Sequence, residues 1–374
     1  MICPFLLFAL LLLAWIPTIH ALSWRIPLLL SRSEFWDKSA AMATLLPWGG
    51  PPPFANPDSI RLPLRFLPVG GCWALKVTLS NNKNQEFSYY GIVDTGSPFL
   101  TCPDQATEFA QSTKYPTSSE QYGESRGDMV WKQVSEVTLA QLILQSSIVL
   151  GVASPTVMRE AGGIFVGLVE QDDNRPTVLQ QFGYRCFSIH FSNNPTPSLV
   201  LDRHSILSED DPDAMKMVNL NEFGPDLYHY AVSCDELVLN FRNAVTGDVS
   251  TLVIPTSSLT RPVVVVLDTG LTGCIFSDSL NNELQERQLW RHEDDFVGAQ
   301  VQLPTLGGTT SVVLPSAETY WSFSSFRLPW FDDKDRHPHI IALGNTFWVS
   351  TSSLLVDPIS RRAKVVGIEQ IADA

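Results

Sequence analysis

The sequence has little positive charge and no run of basic residues. Its 374 residues include 25 Lys and Arg against 39 Asp and Glu, and the formal net charge is -14 at pH 7. Proteins that bind nucleic acid neutralise phosphates with clustered Lys and Arg. We therefore expect no nucleic-acid partner. Hydrophobic residues make up 44% of the chain, which indicates a globular protein with a sizeable core and argues against a disordered one.

Cysteine and histidine are too few and too scattered to indicate a metal site. The six Cys and seven His include no CxxC pair and no His cluster. If Cys3 is removed with an amino-terminal signal peptide, an odd number of cysteines remains. They cannot all form disulfides within one chain, so at least one thiol is free. These cysteines are Cys72, Cys102, Cys186, Cys234 and Cys274. We expect neither a metal nor another cofactor.

Long apolar runs are absent except at the amino terminus. Residues 5–15 are uncharged and apolar, and Pro17 and Ala21 follow, which predicts a signal peptide over residues 1–21. No Lys or Arg precedes the run, so an uncleaved signal anchor is the alternative. No later segment reaches the roughly 20 apolar residues of a membrane span. We expect no stable span after signal removal and a secreted, vacuolar or lysosome-like location, with plastid targeting left open.

The rest of the chain has the pattern of an all-β protein. Residues 22–58 are rich in Pro and Gly and are interpreted as a leader or linker. From residue 59 onward, short runs of β-branched and aromatic residues alternate with turn residues, and the runs at 130–139 and 142–149 are each expected to be one strand. Segments long enough for helices are few, and 104–111 and 277–290 are the best candidates. An acidic loop divides the chain into predicted lobes 59–203 and 204–374.

One sequence pattern occurs in both halves. An apolar strand leads into Asp-Thr-Gly as GIVDTG at 91–96 and again as VVVLDTG at 264–270. An apolar-apolar-Gly element follows each motif at nearly the same interval, FVG at 165–167 and ALG at 342–344. A single Asp-Thr-Gly is more often a structural turn. Two copies in matching contexts indicate an internal repeat with a shared purpose.

The repeated motif suits acid-base chemistry. A strand ending in Asp-Thr-Gly holds a carboxylate at a defined point, because the glycine lets the chain turn sharply and pack closely there. If the two turns face each other, Asp94 and Asp268 cannot both be ionised and share one proton. Such a pair can activate a water as general base and protonate a peptide carbonyl as general acid. No metal or covalent nucleophile is required.

Through these residues the chain resembles the pepsin-like aspartic peptidases over about residues 59–368. The resemblance implies a bilobal fold, two related β-barrel-like lobes with the active-site cleft between them. It further implies that Thr95 and Thr269 interlock across the lobe interface and that Ser97 hydrogen-bonds to Asp94. QYGES at 121–125 is similar to the hairpin flap that covers substrate. The implied site is catalytic Asp94 and Asp268, supporting Thr95, Gly96, Ser97, Thr269, Gly270 and Thr272, and flap residues Tyr122 and Gly123.

Three positions depart from the pattern of that family. Leu271 stands where a hydroxyl residue usually follows the second motif, unless Thr272 replaces it. Thr101 stands where a Trp commonly supports the flap Tyr, and Ser125 replaces the second flap glycine. We expect a monomeric endopeptidase that acts on polypeptides at acidic pH. The alternative is a catalytically inactive homologue that serves as a protein- or inhibitor-type binding module.

Overall fold

The computed structural model describes residues 58–367 apart from 69–70, 82, 84, 123–124, 145–146, 154–163, 171–174, 193–195, 224–228, 244, 290–295, 315–320 and 323–336. The predicted signal peptide and nearly all of the predicted leader therefore lie outside the described residues. So does Gly123 of the predicted flap. Within the described part, no helix is long and apolar enough to cross a membrane.

The first half of the chain is built from strands, as its sequence predicts. Numbered in chain order they are β1 (Ser59–Pro63), β2 (Arg65–Leu67), β3 (Cys72–Ser80), β4 (Glu86–Asp94), β5 (Thr101–Cys102), β6 (Gln111–Ser112), β7 (Ser118–Tyr122), β8 (Ser125–Val134), β9 (Glu136–Leu139), β10 (Leu142–Leu144), β11 (Ile148–Ala153), β12 (Phe165–Gly167), β13 (Cys186–His190) and β14 (Ser198–Asp202). One sheet has the order β10-β9-β3-β4-β12, with β2 beside β3, and a second has the order β5-β11-β8-β6, with β7 beside β8.

The second half repeats this organisation. Its strands are β15 (Met215–Lys216), β16 (Ala231–Ser233), β17 (Glu236–Arg242), β18 (Val249–Pro255), β19 (Val263–Leu267), β20 (Cys274–Phe276), β21 (Phe296–Thr305), β22 (Gly308–Leu314), β23 (Trp321–Ser322), β24 (His339–Leu343), β25 (Ser353–Asp357) and β26 (Arg362–Val366). They form one sheet in the order β16-β19-β24-β20-β23 and another in the order β18-β17-β21-β22.

A fifth sheet joins the two halves. Its order is β1-β14-β13-β25-β26-β15, so three strands come from each side of the predicted boundary at residues 203 and 204. Strands β13 and β25 meet in its centre, antiparallel, with His190 opposite Ser353. The sheet connects the halves, while the boundary itself stays a prediction.

Helices are short and few among the described residues. They are α1 (Val178–Phe182), α2 (Asp278–Glu286) and α3 (Asn345–Trp348), with 3₁₀ turns at Asp104–Phe109, Leu220–Glu222 and Thr256–Ser258. Of the two helices predicted, 277–290 contains α2, which begins after its N-cap Ser277. The other, 104–111, is a 3₁₀ turn that ends at Phe109, because Gln111 and Ser112 enter β6.

Two strand predictions were wrong in extent. The run 130–139 contains the end of β8 and all of β9, and Ser135 separates them because the chain leaves one sheet there and enters another. The run 142–149 is likewise divided between β10 and β11. A hydrophobic run shows that its residues are buried, but it does not show which sheet buries each part.

All five described cysteines are free and buried. Burial raises the pKa of the Cys72 thiol to about 12 and also raises that of Cys274. A protonated thiol in an apolar setting packs as a small hydrophobic group. Cys274, close to the second motif, therefore contributes packing, with its Sγ 3.7 Å from Thr346 Oγ1.

One buried carboxylate has a purely structural environment. Asp357, at the end of β25, accepts hydrogen bonds from the amides of Ile206 at 2.9 Å, Leu207 at 3.1 Å and Ser360 at 3.0 Å, and from the Ser205 hydroxyl. Burial opposes ionisation, but these donors hold the pKa of Asp357 below its ordinary value. The ionised side chain thereby ties the 205–207 loop to the central sheet.

Candidate active site

The two Asp-Thr-Gly motifs leave equivalent strands. Asp94 is the last residue of β4, and Asp268 directly follows β19, a strand whose five residues are all buried. Each strand has the apolar-Gly element of its own half as a parallel neighbour: β12 beside β4, with Gly167 opposite Asp94, and β24 beside β19, with Leu343 opposite Leu267. Because both strands are held between neighbours, their ends are well defined. The carboxylates are only 5% and 8% exposed.

The threonines of the motifs bind each other's loops. The Thr269 amide donates to Thr95 Oγ1 at 2.9 Å, and the Thr95 amide donates to Thr269 Oγ1 at 3.2 Å. Each hydroxyl in turn donates across the interface, Thr95 to the Leu267 carbonyl at 2.6 Å and Thr269 to the Val93 carbonyl at 2.7 Å. Both side chains are fully buried. The four reciprocal bonds join loops that lie 174 residues apart.

The glycines allow the two carboxylates to come together. The Gly96 amide donates to Asp94 Oδ1 at 2.7 Å, and the Gly270 amide donates to Asp268 Oδ1 at 2.8 Å. A Cβ atom on Gly96 would lie 2.6 Å from Asp268 Oδ2, and one on Gly270 would lie 2.3 Å from Asp94 Oδ1. Each carboxylate therefore packs on the glycine of the opposite loop, where no side chain could fit.

The two carboxyls also hydrogen-bond to each other, and burial dominates their electrostatics. Burial raises the pKa of Asp94, and this is partly offset by Ser97, the Gly96 amide and the bond to Asp268. The Ser97 hydroxyl is buried next to Asp94, although its Oγ has no hydrogen bond of good geometry among the described residues. The net effect is that the pKa of the Asp94 carboxyl is raised.

The pKa of Asp268 is raised as well, by burial and by the charge of Asp94. It lies well above its ordinary value, although hydrogen bonds from the amides of Gly270 and Leu271 oppose this rise. Two carboxyls in contact hold one proton between them over a range of pH. The arrangement can therefore offer a base and an acid at the same time.

Two of the three positions singled out in the sequence, Leu271 and Thr101, make local contacts, as does Thr272 beside Leu271. The backbone amide of Leu271 reaches Asp268, while its side chain packs against a small apolar cluster of the second half. The carbonyl of Thr272 accepts a hydrogen bond from the Thr346 amide at 3.0 Å. Thr101 is fully buried, and its hydroxyl accepts from the Phe165 amide at 2.7 Å.

Some residues around the site could not be assigned a role from sequence. Asn345 donates its side-chain amide to the carbonyls of Thr269 at 2.6 Å and Leu271 at 3.0 Å, and the Trp348 indole donates to the Asp268 carbonyl at 3.2 Å. Both come from α3. The only signal in the sequence was that α3 follows ALG at 342–344. The hydrogen bonds hold the backbone of the second motif in place.

Two residues of the second half, His229 and Tyr230, contact the first half. The hydroxyl of Tyr230 donates to the Leu168 carbonyl at 2.7 Å and accepts from the Glu170 amide at 2.9 Å. The neighbouring His229 hydrogen-bonds to the backbone of Gly96, and burial lowers the pKa of His229 to about 4. Residues from the second half thus contact the first motif and the segment after β12. Nothing in the local sequence around them indicates this.

The predicted flap coincides with a hairpin. Strands β7 and β8 pair antiparallel, from Ser118 opposite Met129 to Tyr122 opposite Ser125. Gly123 lies outside the described residues, and for Tyr122 only the backbone is described. The hairpin is therefore present, and the contact of its tip with substrate stays a prediction.

The chain is similar to a solved structure over most of its length. The crystal structure of aspartic proteinase from Irpex lacteus matches 84% of this chain and 100% of its own, with a TM-score of 0.52 and 12% sequence identity. No protein-family model matches the chain, and a comparison with curated proteins finds no match. At this identity the similarity concerns the fold. The chain therefore has the all-β, bilobal fold of the pepsin-like aspartic proteinases.

Proposed function

We propose that this protein is an aspartic endopeptidase that hydrolyses peptide bonds through a water activated by Asp94 and Asp268. The observation that carries the proposal is the reciprocal packing of the two motifs, which leaves two buried carboxyls hydrogen-bonded to each other. The similarity in fold to an aspartic proteinase supports the same function. Polypeptide substrates are proposed to bind extended in the cleft between the lobes.

The mechanism uses one proton that the two carboxyls share. Burial raises the pKa of both carboxyls, so that the pair holds one proton, and in the proposed mechanism Asp268 is the acid and Asp94 is the base. Asp94 takes a proton from the attacking water while Asp268 protonates the carbonyl oxygen, which gives a tetrahedral diol. Asp94 then gives its proton to the leaving nitrogen, and Asp268 takes one from a diol hydroxyl. The C–N bond breaks and the starting protonation of the pair returns.

An assay with unfolded protein as substrate tests this function. We expect hydrolysis at acidic pH that a statine-type transition-state analogue inhibits, since such compounds mimic the diol between the carboxyls. Tight binding of the analogue without any hydrolysis would instead support the inactive binding homologue. Hydrolysis that is insensitive to the analogue would contradict the dyad mechanism.

We predict a bell-shaped dependence of kcat/KM on pH. Below the lower apparent pKa both carboxyls are protonated and no base is available, and above the upper one both are ionised and no acid is available. Because burial raises the pKa of Asp268 well above its ordinary value, activity should persist above the usual carboxyl range near pH 4 and fall toward neutral pH. Rates measured from about pH 2 to about pH 8 check this. A maximum above about pH 8 would exclude proton sharing.

Leu271→Thr is predicted to shift the upper limb of this profile to lower pH. A hydroxyl at this position would donate to Asp268 and favour its ionised form, which lowers its pKa. A hydrogen bond to a charged group contributes about 1.5 kcal/mol or more, so the expected shift is about one pH unit. Leu271→Val, which has the same shape as Thr without the hydroxyl, should leave the limb in place. An unmoved limb in Leu271→Thr would mean that another donor already fills this position.

The remaining features of the proposal concern the whole protein. We propose that residues 1–21 direct it into the secretory route, that 22–58 is a leader or linker, and that the mature enzyme is a monomer in an acidic compartment or outside the cell. Amino-terminal sequencing of the mature protein and its mass in solution test these points. A mature chain that begins at Met1 would contradict signal removal.

A further inference from the structure

A largely buried arginine, Arg175, links the base of the β7–β8 hairpin to the segment before α1. Arg175 Nη2 lies 2.8 Å from Glu120 Oε1, and Arg175 Nη1 donates to Ser118 Oγ at 2.6 Å. Glu120 and Ser118 both belong to β7, and they also contact each other at 2.5 Å. The side chains of Arg175 and Glu120 are only 13% and 18% exposed, so the ion pair is largely shielded from water.

The same guanidinium contacts the faces of two aromatic rings. Its Cζ lies 4.3 Å from the centre of the Trp131 ring and 4.8 Å from that of Phe99. The rings themselves meet edge to face, with centroids 4.8 Å apart. The Trp131 indole completes the cluster by donating to Ser118 Oγ at 2.7 Å. A guanidinium can contact aromatic faces and make several directed hydrogen bonds at the same time, which the ammonium group of lysine does not reproduce.

Each aromatic ring belongs to a different part of the proposed site. Trp131 is on β8, the returning strand of the hairpin, and Phe99 follows the first Asp-Thr-Gly motif by a few residues. The backbone of Phe99 is itself fixed, because its carbonyl accepts from the Gly167 amide at 3.0 Å. Arg175 therefore joins both strands of the hairpin to the loop that carries Asp94.

We propose that Arg175 is a positioning residue that sets the angle of the β7–β8 hairpin over the cleft and thereby the fit of bound polypeptide. This inference rests on the proposed peptidase function. Tyr122 is the fourth residue after Ser118, so at about 3.4 Å per residue its backbone lies about 14 Å beyond the anchor. A small tilt at the base becomes a large displacement at the tip, where substrate contact is expected.

The test compares Arg175→Met and Arg175→Lys with a matched control, Arg185→Met. Arg185 also forms an ion pair, with its Nε 2.7 Å from Glu170 Oε1, but its side chain is 55% exposed and lies apart from the hairpin. For Arg175→Met we expect KM to rise and the affinity for a statine-type analogue to fall, each about tenfold, with kcat reduced less. Arg175→Lys should be intermediate, and Arg185→Met should match the wild type.

Amide hydrogen exchange gives a measurement that does not depend on catalysis. In Arg175→Met, amides of 118–122 and 125–134 should exchange faster, while those of β3 and β4 should not change. If the wild type proves inactive, this exchange still tests the anchor, so failure of the anchor and failure of the proposed function are distinguishable. Unchanged hairpin exchange in both Arg175 variants would overturn the proposal. So would a lower melting temperature with unchanged KM and unchanged analogue affinity, which would make Arg175 merely structural.

Discussion

Replacing either carboxylate of the dyad by its amide is expected to lower kcat/KM by about 10³-fold or more. Asn keeps the shape of Asp but cannot exchange a proton with water or substrate, so Asp94→Asn removes the base and Asp268→Asn removes the acid. The fold should survive, because Asn has nearly the same shape as Asp and neither variant adds a charge to the buried pair. The melting temperature of both variants should equal or exceed that of the wild type.

The matched control is Asp357→Asn, an equivalent change at a buried carboxylate away from the dyad. There the ionised group accepts several hydrogen bonds, so we expect a loss of about 2 kcal/mol in the free energy of unfolding. Its kcat/KM per folded molecule should stay within about threefold of the wild type. Near-normal turnover in Asp94→Asn or Asp268→Asn would show the proposed mechanism to be wrong.

Removing a hydroxyl from the interlocked threonines is expected to destabilise the protein strongly. Thr95→Val or Thr269→Val leaves a buried amide without its acceptor and a buried carbonyl without its donor. Each unsatisfied group costs about 1–3 kcal/mol, so each variant, with two such groups, should lose about 2–6 kcal/mol in the free energy of unfolding. kcat should fall as well, because the two loops hold the carboxyls in register. Denaturant unfolding and steady-state rates measure the two effects.

Thr351→Val is the matched control for this pair. Its buried hydroxyl makes a single local bond, to the Trp348 carbonyl at 2.9 Å, so the expected loss is about 1 kcal/mol. The double variant of Thr95 and Thr269 should show a coupling energy of at least about 0.5 kcal/mol, since the two side chains share one network. Additive losses would indicate that the hydroxyls act independently and that the reciprocal bonds do not join the loops.

Local sequence signals predicted the parts of the fold that depend on few neighbours. The apolar strand before the second Asp-Thr-Gly was predicted and is β19 (Val263–Leu267), because four valines and a leucine lie between Pro262 and Asp268. Helix α2 begins where Ser277 offers a side-chain acceptor for its first turn. Helix α1 was missed, although Thr177 and Gln180 form a capping box, because five residues are too few for a helical period to show.

Only part of the candidate site, likewise, could be predicted from local sequence signals. The sequence alone predicted Asp94 and Asp268 at the ends of apolar strands, since strand and turn preferences act over a few adjacent residues. It also predicted that the two copies of the motif act together in one site. It could not predict that Asn345 binds the backbone of the second motif, that Tyr230 binds the segment after β12, or that Arg175 binds the base of the hairpin. Each of these contacts joins residues far apart along the chain.

The sequence by itself determined the chemistry available to this protein: two carboxyls, each beside a threonine and a glycine, on two related all-β halves. Only the tertiary structure decided the state of those carboxyls. Burial and the approach of Asp94 to Asp268 raise the pKa of Asp268, and both depend on how loops 174 residues apart pack together. Desolvation and charge repulsion act through space, and for that reason the electrostatics of the pair became visible only in the folded chain.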